Sequence, residues 1–332
     1  PLYFIYKILH AIKLSDHLNK TLAPYRFVPV YYMGSEDADL AELNHIHLGN
    51  QKLTWHTKQT GAVGRMKVDK ELLKLIDDIE GQLAVLPGGG EVVKLLRESY
   101  VEGENIQSAT FKIVNALFGE RGLVVLLPDN AVLKKLMIPV FEDDLLHQVA
   151  SGIVERTSGK LGEYYKVQAS PREINLFYLE GDTRERIEKR NDKYEVLNTK
   201  LVFSKEELLT ELHQHPERFS PNVILRGLYQ ETILPNIAFI GGGGELAYWL
   251  ELKELFAHYH IPYPVQVLRN SFLIVEEKEQ QKMSKLGFTV HDLFLSERDL
   301  MNKLVERDTD KKLQLNGTLS ATEQIYDSLK KQ

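Results

Sequence analysis

"IAFIGGGGELAYWLELKELF", running from Ile237 to Phe256, decides the fold class. An apolar run ends at Ile240, four consecutive glycines follow from Gly241 to Gly244, and an amphipathic helical pattern opens at Glu245. A short apolar run bounded by glycine and followed by helical spacing reads as a buried strand turning into a helix. Glycines at such a turn let the backbone approach another group closely, often an anion at the helix N-terminus. The plain alternative is a tight turn with no ligand. The stretch fails as a dinucleotide fingerprint: Gly241 and Gly243 fit G-x-G-x-x-G, but Leu246 stands third and the next strand ends Arg269-Asn270. No P-loop pattern occurs. Glu245 in the first helical turn suits the helix dipole, repels an anion and would suit a substrate amine.

The same alternation repeats along the chain. "RFVPVYYMGSED" (26–37), "GLVVLLPDN" (122–130) and "YPVQVLRNSFLIV" (263–275) are apolar runs with polar ends. Strands at 26–33, 122–127, 237–240 and 263–269, each flanked by helices, predict an α/β fold with a doubly wound parallel sheet. Ligands of such sheets bind beyond the carboxyl ends of the strands. Those ends are Gly34-Ser35-Glu36-Asp37, Pro128-Asp129-Asn130, Gly241 to Glu245 and Arg269-Asn270-Ser271. Between them, residues 70–86 and 91–121 read as helices parted by "PGGG", and a long helix is expected from Ala131 to about Thr157. "HIHLGNQKLTWHT" (45–57) reads as a hairpin around Gly49-Asn50. Residues 160–204 read as a small β-rich insertion with short strands that include "EYYKVQAS", and Ser204 with Glu207 forms a capping box for the helix that follows.

The 332 residues carry 41 Lys+Arg against 47 Asp+Glu, a net charge of −6, with no basic tract. Nucleic acid is therefore not an expected partner. The absence of cysteine rules out disulfides, cysteine–zinc sites and a cysteine nucleophile, and fits a reducing cytoplasm. No apolar run is long enough for a bilayer span and no secretory signal is visible, so a cytoplasmic chain without a membrane partner is expected. The chain begins at Pro1 rather than methionine, which suggests a missing N-terminal segment.

Several motifs bear on chemistry. "SEDAD" packs Glu36, Asp37 and Asp39 into four residues after a strand, suited to a general base, an amine ligand or magnesium, or simply to helix capping. His45 and His47 could share a strand face near His56, but no third zinc ligand is evident and no metal residue is assigned. "KMSK" at Lys282 to Lys285 matches a synthetase motif, yet it lies in a charged amphipathic helix and lacks its H-I-G-H partner. "LRGLYQETILPN" (225–236) holds Arg226, Tyr229, Gln230, Glu231 and Thr232 without surface-helix periodicity, and "SPRE" brings Arg172 to the insertion boundary.

Taken together, "FVPVYYMGSEDADLAELNH", "GAVGRM", "LLPDNAVL", "PREINLFYL", "PERFSPNVILRGLYQETILPNIAFIGGGGELAYWLELKELF" and "PVQVLRNSFLIV" resemble the BshC family, the cysteine-adding enzymes of bacillithiol biosynthesis. The resemblance runs from Pro1 to about Phe294. It implies a Rossmann-like core with connecting-peptide insertions and the start of an α-helical coiled coil that supports a homodimer. The implied division is a first half at 1–159 carrying an insertion over about 45–121, the β-rich insertion at 160–204, a second half at 205–294, and a helical segment at 295–332 leading into a truncated coiled coil. The implied activity is a ligase joining L-cysteine to glucosaminyl-malate through an amide bond in the last step of bacillithiol synthesis. Amide formation from a free carboxylate is uphill in water, and an acyl phosphate or adenylate from ATP is the simplest route, so ATP/ADP with magnesium is the expected cofactor. Two positions depart from the family pattern: Ala38 stands within an acidic motif that usually reads E-D-H-D, and Gly227 stands where proline is expected, a change assigned to loop stiffness.

On this reading Glu36, Asp37, Asp39 and His45 are candidate catalytic residues, with His45 able to replace the histidine missing at Ala38. The candidate substrate-binding set is Ser35, Asn44, Arg172, Arg226, Tyr229, Gln230, Gly241, Gly242, Gly243, Gly244, Glu245, Trp249, Arg269 and Asn270. Arg226 and Arg269 would hold malate carboxylates, because arginine binds carboxylates bidentately. A non-catalytic sugar- or nucleotide-binding protein on the same fold is the competing reading, favoured by Ala38.

Overall fold

The computed structural model describes residues 2–49, 51–308 and 315–330. The chain divides into two compact units, Pro1–Asn270 and Ser271–Gln332, whereas the second half of the core was expected to run to 294.

In the first unit, α1 (Leu2–Thr21) leads through a loop to β1 (Val30–Tyr32), then a single turn, α2 (Leu40–Leu43), and an antiparallel hairpin of β2 (His45–Leu48) and β3 (Gln51–Thr54). The hairpin is as expected, though Asn50 at its tip lies outside the described residues. Three helices follow, α3 (Lys70–Leu83), α4 (Gly89–Ser99) and α5 (Ile106–Phe118). The helix expected over 91–121 is thus two, broken at a turn where Gly103 has φ +85° and Asn105 caps α5. After β4 (Val124–Leu126), the long helix expected over 131–157 becomes α6 (Ala131–Lys134), α7 (Ile138–His147) and α8 (Val149–Gly162). Pro139 has no N–H to give to a continuing helix, and Gln148 takes a left-handed φ of 53°.

The β-rich insertion is an antiparallel sheet of β5 (Leu176–Glu180), β6 (Thr183–Arg190), β7 (Lys193–Val196) and β8 (Val202–Phe203), joined past α9 (Lys205–Gln214) by β9 (Phe219–Pro221). Its strand order is β8-β7-β6-β5-β9, so the sheet recruits residues beyond 204. "EYYKVQAS" is not a strand: the N–H groups of Gln168 and Ala169 donate to the Glu251 carboxylate instead of to a ladder. Residues 225–236 lie largely in α10 (Val223–Ile233), and "RERIEKRNDKYEVL" folds back at Asn191-Asp192, both left-handed.

The unit closes with β10 (Ala238–Gly241), α11 (Gly243–Glu251), α12 (Lys253–His258) and β11 (Val265–Leu268). The four core strands do not form one hydrogen-bonded sheet. β1 pairs with β4 and β10 with β11, each parallel, as two separate ladders. α1 bridges them. Its Ile8 and Ile12 pack with Val114, Phe118 and Leu123 on the β1/β4 side, and its Lys7 reaches Glu245 beyond β10. The largest core is shared between the β-rich sheet and helices α7 to α12, with Phe141, Leu145, Tyr178, Phe219, Leu228, Trp249 and Phe256 all buried. The insertion is therefore fused to the second half by its packing.

The second unit holds α13 (Glu277–Lys285), α14 (Glu297–Asp308) and α15 (Leu315–Lys330). "KMSK" lies in α13, where Lys282 pairs with Glu279, and Gly287 ends the helix at φ +65°. Part of the segment expected to begin a coiled coil, residues 309–314 and 331–332, lies outside the described residues, as does Pro1.

Candidate active site

The loop after β1 is built to hold acidic side chains. Gly34 turns so tightly that a Cβ there would lie 2.7 Å from the Asp37 carboxylate. The "GAVGRM" segment clamps the loop from outside. The Gly64 N–H donates to Ser35 O at 2.8 Å, and the Val63 N–H donates to Asp37 O at 2.8 Å. Gly64 is obligatory at this approach, since a Cβ would lie 2.4 Å from Ser35 O. Glu36 and Ser35 are consequently buried, and the Ser35 hydroxyl has no hydrogen-bond partner.

Glu36 meets the fully buried ammonium of Lys134, which also points at Glu217 O, 3.4 Å away. Burial pushes the Glu36 carboxyl above its ordinary value, Lys134 pulls it back, and nearby Asp129 adds to the rise. Asp129, at the end of β4, takes a two-pronged bond from Arg65, both arms at 2.7 Å, and Arg65 also donates to Glu217 O. Asp37 accepts from Arg226 Nη1 at 3.1 Å, and Arg226 Nη2 donates to the Tyr248 hydroxyl at 3.3 Å. Burial works against the charge on Arg226, but Asp37 and Tyr248 outweigh it and hold the guanidinium above its ordinary value. The Tyr229 hydroxyl, wholly buried, donates to Pro128 O at 2.6 Å. Electrostatic coupling of Arg226 to both Asp37 and Glu245 ties the end of β1 to the end of β10.

The glycine run splits by position. Strand β10 extends through Gly241, one residue further than expected, and α11 opens at Gly243 rather than at Glu245. At Gly241 a Cβ would meet the Phe239 ring at 2.8 Å, and at Gly242 the Arg269 guanidinium at 3.0 Å. Gly243 and Gly244 are exposed, with open space where a Cβ would stand, and none of the four has a positive φ. Glu245 is the third residue of α11. Its carboxylate accepts from the Gly242 N–H at 2.8 Å and from Lys7 at 2.9 Å. The amine it meets is the chain's own, and these partners hold its carboxyl below the ordinary value against the effect of burial. Arg269 lies over the Tyr3 ring at 4.5 Å and donates its backbone N–H to Gly241 O.

Other candidates lie apart from this cluster. Trp249 is a core residue, 1% exposed and stacked on Phe239 at 4.2 Å. Gly227 sits under its indole, where a Cβ would meet the ring at 3.1 Å, so this glycine serves helix packing and not loop stiffness. Gln230 donates to Glu231 at the far end of α10. Arg172 is exposed, and its backbone holds the Asn175 side chain. Asn44 and His45 open the β2/β3 hairpin, bonded to each other at 3.2 Å, with no described bond from His45 to the acidic loop. The His45 and His47 rings meet edge to face, and among the described residues no group of His, Asp or Glu is arranged to hold a metal. Asn270 is exposed at the unit's end. Asp39 is exposed, and its carboxylate caps nothing.

Sequence reasoning passed over Lys134, Arg65, Tyr248 and Arg184. Lys134 has the spacing of an ordinary helical lysine, yet its side chain is fully buried at the end of α6. Arg65 was visible inside "GAVGRM" without its role. Arg184, in β6, stacks on Phe177 at 3.9 Å and feels Asp37, Glu36 and Asp39.

Over residues 1–270 the chain matches the family described as "Bacillithiol biosynthesis BshC, N-terminal Rossmann-like domain". Proteins named "Putative cysteine ligase BshC" are similar to nearly all of it. The one from Flavobacterium psychrophilum is 41% identical over 99% of this chain and 62% of its own length. That from Flavobacterium johnsoniae is 43% identical over 92% of this chain and 58% of its own, and that from Cytophaga hutchinsonii 40% identical over 99% and 61%. The chain thus spans about 60% of the length of these relatives. With the Rossmann-like unit, the clamped acidic loop and the glycine turn in place, the chain belongs to the BshC family of bacillithiol biosynthesis.

Proposed function

We propose that this chain carries the Rossmann-like part of an amide-forming ligase that joins L-cysteine to glucosaminyl-malate, closing bacillithiol synthesis. Family membership and the relatives' name of cysteine ligase support the reaction class. The observation that carries the site assignment is the convergence of Glu36, Asp37, Arg226 and Glu245 at the ends of β1 and β10. Glu36 is taken by Lys134 and Asp37 by Arg226, so Asp39 is the carboxylate left to bind or deprotonate an incoming amine. The exposed backbone at Gly243 and Gly244 is the candidate seat for an anionic oxygen, and Arg269 lies beside it.

Carboxylate activation by ATP with magnesium is part of the proposal. When bound, ATP would convert the acyl oxygen into a leaving group. As arranged, the strand-end carboxylates do not fit magnesium, because Glu36, Asp37 and Asp129 each face a cation. Dimerisation through a coiled coil is proposed for the second unit, where Ile325 and Leu329 of α15 stand exposed one turn apart. No helix among the described residues is long and apolar enough to cross a membrane, and a cytoplasmic location is part of the proposal.

The test is incubation of the full-length protein with L-cysteine and glucosaminyl-malate, with and without ATP and magnesium. Mass spectrometry should find the condensation product, one water lighter than the sum of its parts. Binding of both substrates by calorimetry without product under any of these conditions would instead favour the non-catalytic binding protein.

A further inference from the structure

We infer that Arg184, carried by the β-rich insertion, is the receptor for a substrate carboxylate at the acidic loop. The inference rests on the site assignment above and adds a residue that neither the strand ends nor the motifs contain.

The first observation is an imbalance of partners. Around the loop, Lys134 is paired with Glu36, Arg65 with Asp129 and Arg226 with Asp37. The Arg184 side chain has no hydrogen bond or ion pair among the described residues, and its Nε is buried without a partner. A guanidinium has five N–H donors in a fixed fork, and a buried donor left unpaired is costly. Arg184 is nevertheless coupled to Asp37, Glu36 and Asp39, while burial disfavours its charge. It is thus a cation at the site whose fork of donors no described residue satisfies.

The second observation is that the arginine is held in place. In the β5/β6 hairpin Arg184 opposes Leu179 and lies diagonally across from Phe177, on whose ring it stacks at 3.9 Å. The hairpin tip is docked onto the segment that clamps the acidic loop. The Thr60 hydroxyl donates to Asp182 O at 2.9 Å, and Gly61, at φ +86°, lies so close that a Cβ would meet the Asp182 carbonyl at 2.8 Å. Two residues later the same segment begins its bonds to Asp37 and Ser35. The flat face of the guanidinium is covered by Phe177, so its edge donors are left for a planar acceptor. A carboxylate matches that fork bidentately. Asp39, exposed and with no ion pair among the described residues, suits an ammonium group beside that carboxylate. The carboxylate can therefore come from a dicarboxylic acid or from an amino acid, and the experiment separates the two.

Calorimetric titration of the full-length protein with L-malate and, separately, with L-cysteine provides the test, using wild type, Arg184→Ala and Arg184→Lys. At least one of the two ligands should bind the wild type and lose tenfold or more in affinity in Arg184→Ala, and the ligand that responds identifies the source. Arg184→Lys, which keeps the charge without the fork, should recover only part of the loss. If Arg184→Ala fails to fold, Arg184→Lys decides, and affinity within twofold of wild type overturns the inference. It is also overturned if neither ligand binds the wild type, or if both bind Arg184→Ala unchanged. Binding is read without turnover. Arginine-dependent binding in a protein that makes no amide would keep the receptor and remove the ligase, and turnover with Arg184-independent binding would do the reverse.

Discussion

Asp37 and Arg226, 189 positions apart in the chain, face each other with Nη1 3.1 Å from Oδ1. The pair joins the end of β1 to α10, the helix that delivers the chain into β10. Its side chains are 43% and 34% exposed, so as an ion pair it contributes at most about 1 kcal/mol to stability. Its value lies in holding the acidic loop toward α11.

Arg226→Gln should accordingly separate stability from function. The thermal midpoint should fall by only a few degrees, consistent with a loss of about 1 kcal/mol. Ligase turnover should fall at least tenfold, because the loop loses its tether to Tyr248 and α11. Arg226→Lys should recover little, since one ammonium cannot reach Asp37 and Tyr248 with the geometry of a fork. Full turnover in Arg226→Gln would show that the tether is dispensable.

Glu36 and Lys134 make the opposite case, a pair with no solvent to fall back on. Burial raises the Glu36 carboxyl and Lys134 lowers it. A carboxyl raised in the folded state contributes stability that is present below its unfolded value and lost as pH rises through the folded value. Lys134→Met removes the group that lowers it, so the folded value moves further up. Urea unfolding should show a small penalty at pH 4, where Glu36 keeps its proton, growing to about 3–5 kcal/mol by pH 8, because without Lys134 the buried carboxyl must either hold its proton against the solution or stand charged and unpaired. An equal penalty at both pH values would mean that Glu36 does not titrate in this range.

These two pairs show what the sequence could and could not tell. The acidic loop and the glycine turn were legible because apolar runs ending in polar or glycine residues are local signals. The partners were not. Lys134 ends α6 where the backbone tightens into a 3-10 turn, and its burial against Glu36, 98 positions away, leaves no mark in the local pattern. Arg184 reaches the site only because a hairpin docks on Gly61, a contact across 122 positions at Thr60–Asp182. Trp249 and Gly227 were misread for a related reason. Both sit in motifs rich in candidate site residues, yet what they share is a packing contact between α10 and α11. The single sheet was also too simple, since ladder pairing among four short strands cannot be read from their apolarity.

The four glycines give the sharpest separation of packing from chemistry. Gly241→Ala should destabilise by about 1–3 kcal/mol, because its Cβ would meet Phe239 and Leu246 inside 3 Å. Gly242→Ala should cost less, since the obstacle is the end of the Arg269 side chain, which can swing away. Gly243→Ala and Gly244→Ala meet nothing within 4 Å and lie at helical positions without positive φ. Alanine there should leave stability unchanged or raise it by up to about 1 kcal/mol. Any activity these two variants lose must therefore come from a ligand that needs bare backbone, and the proposed anion seat requires that loss. Thermal midpoints and cysteine-adding rates measured together give the answer. If Gly243→Ala and Gly244→Ala melt at or above the wild-type temperature and still add cysteine at the wild-type rate, the run is only a turn whose first two glycines are needed for packing.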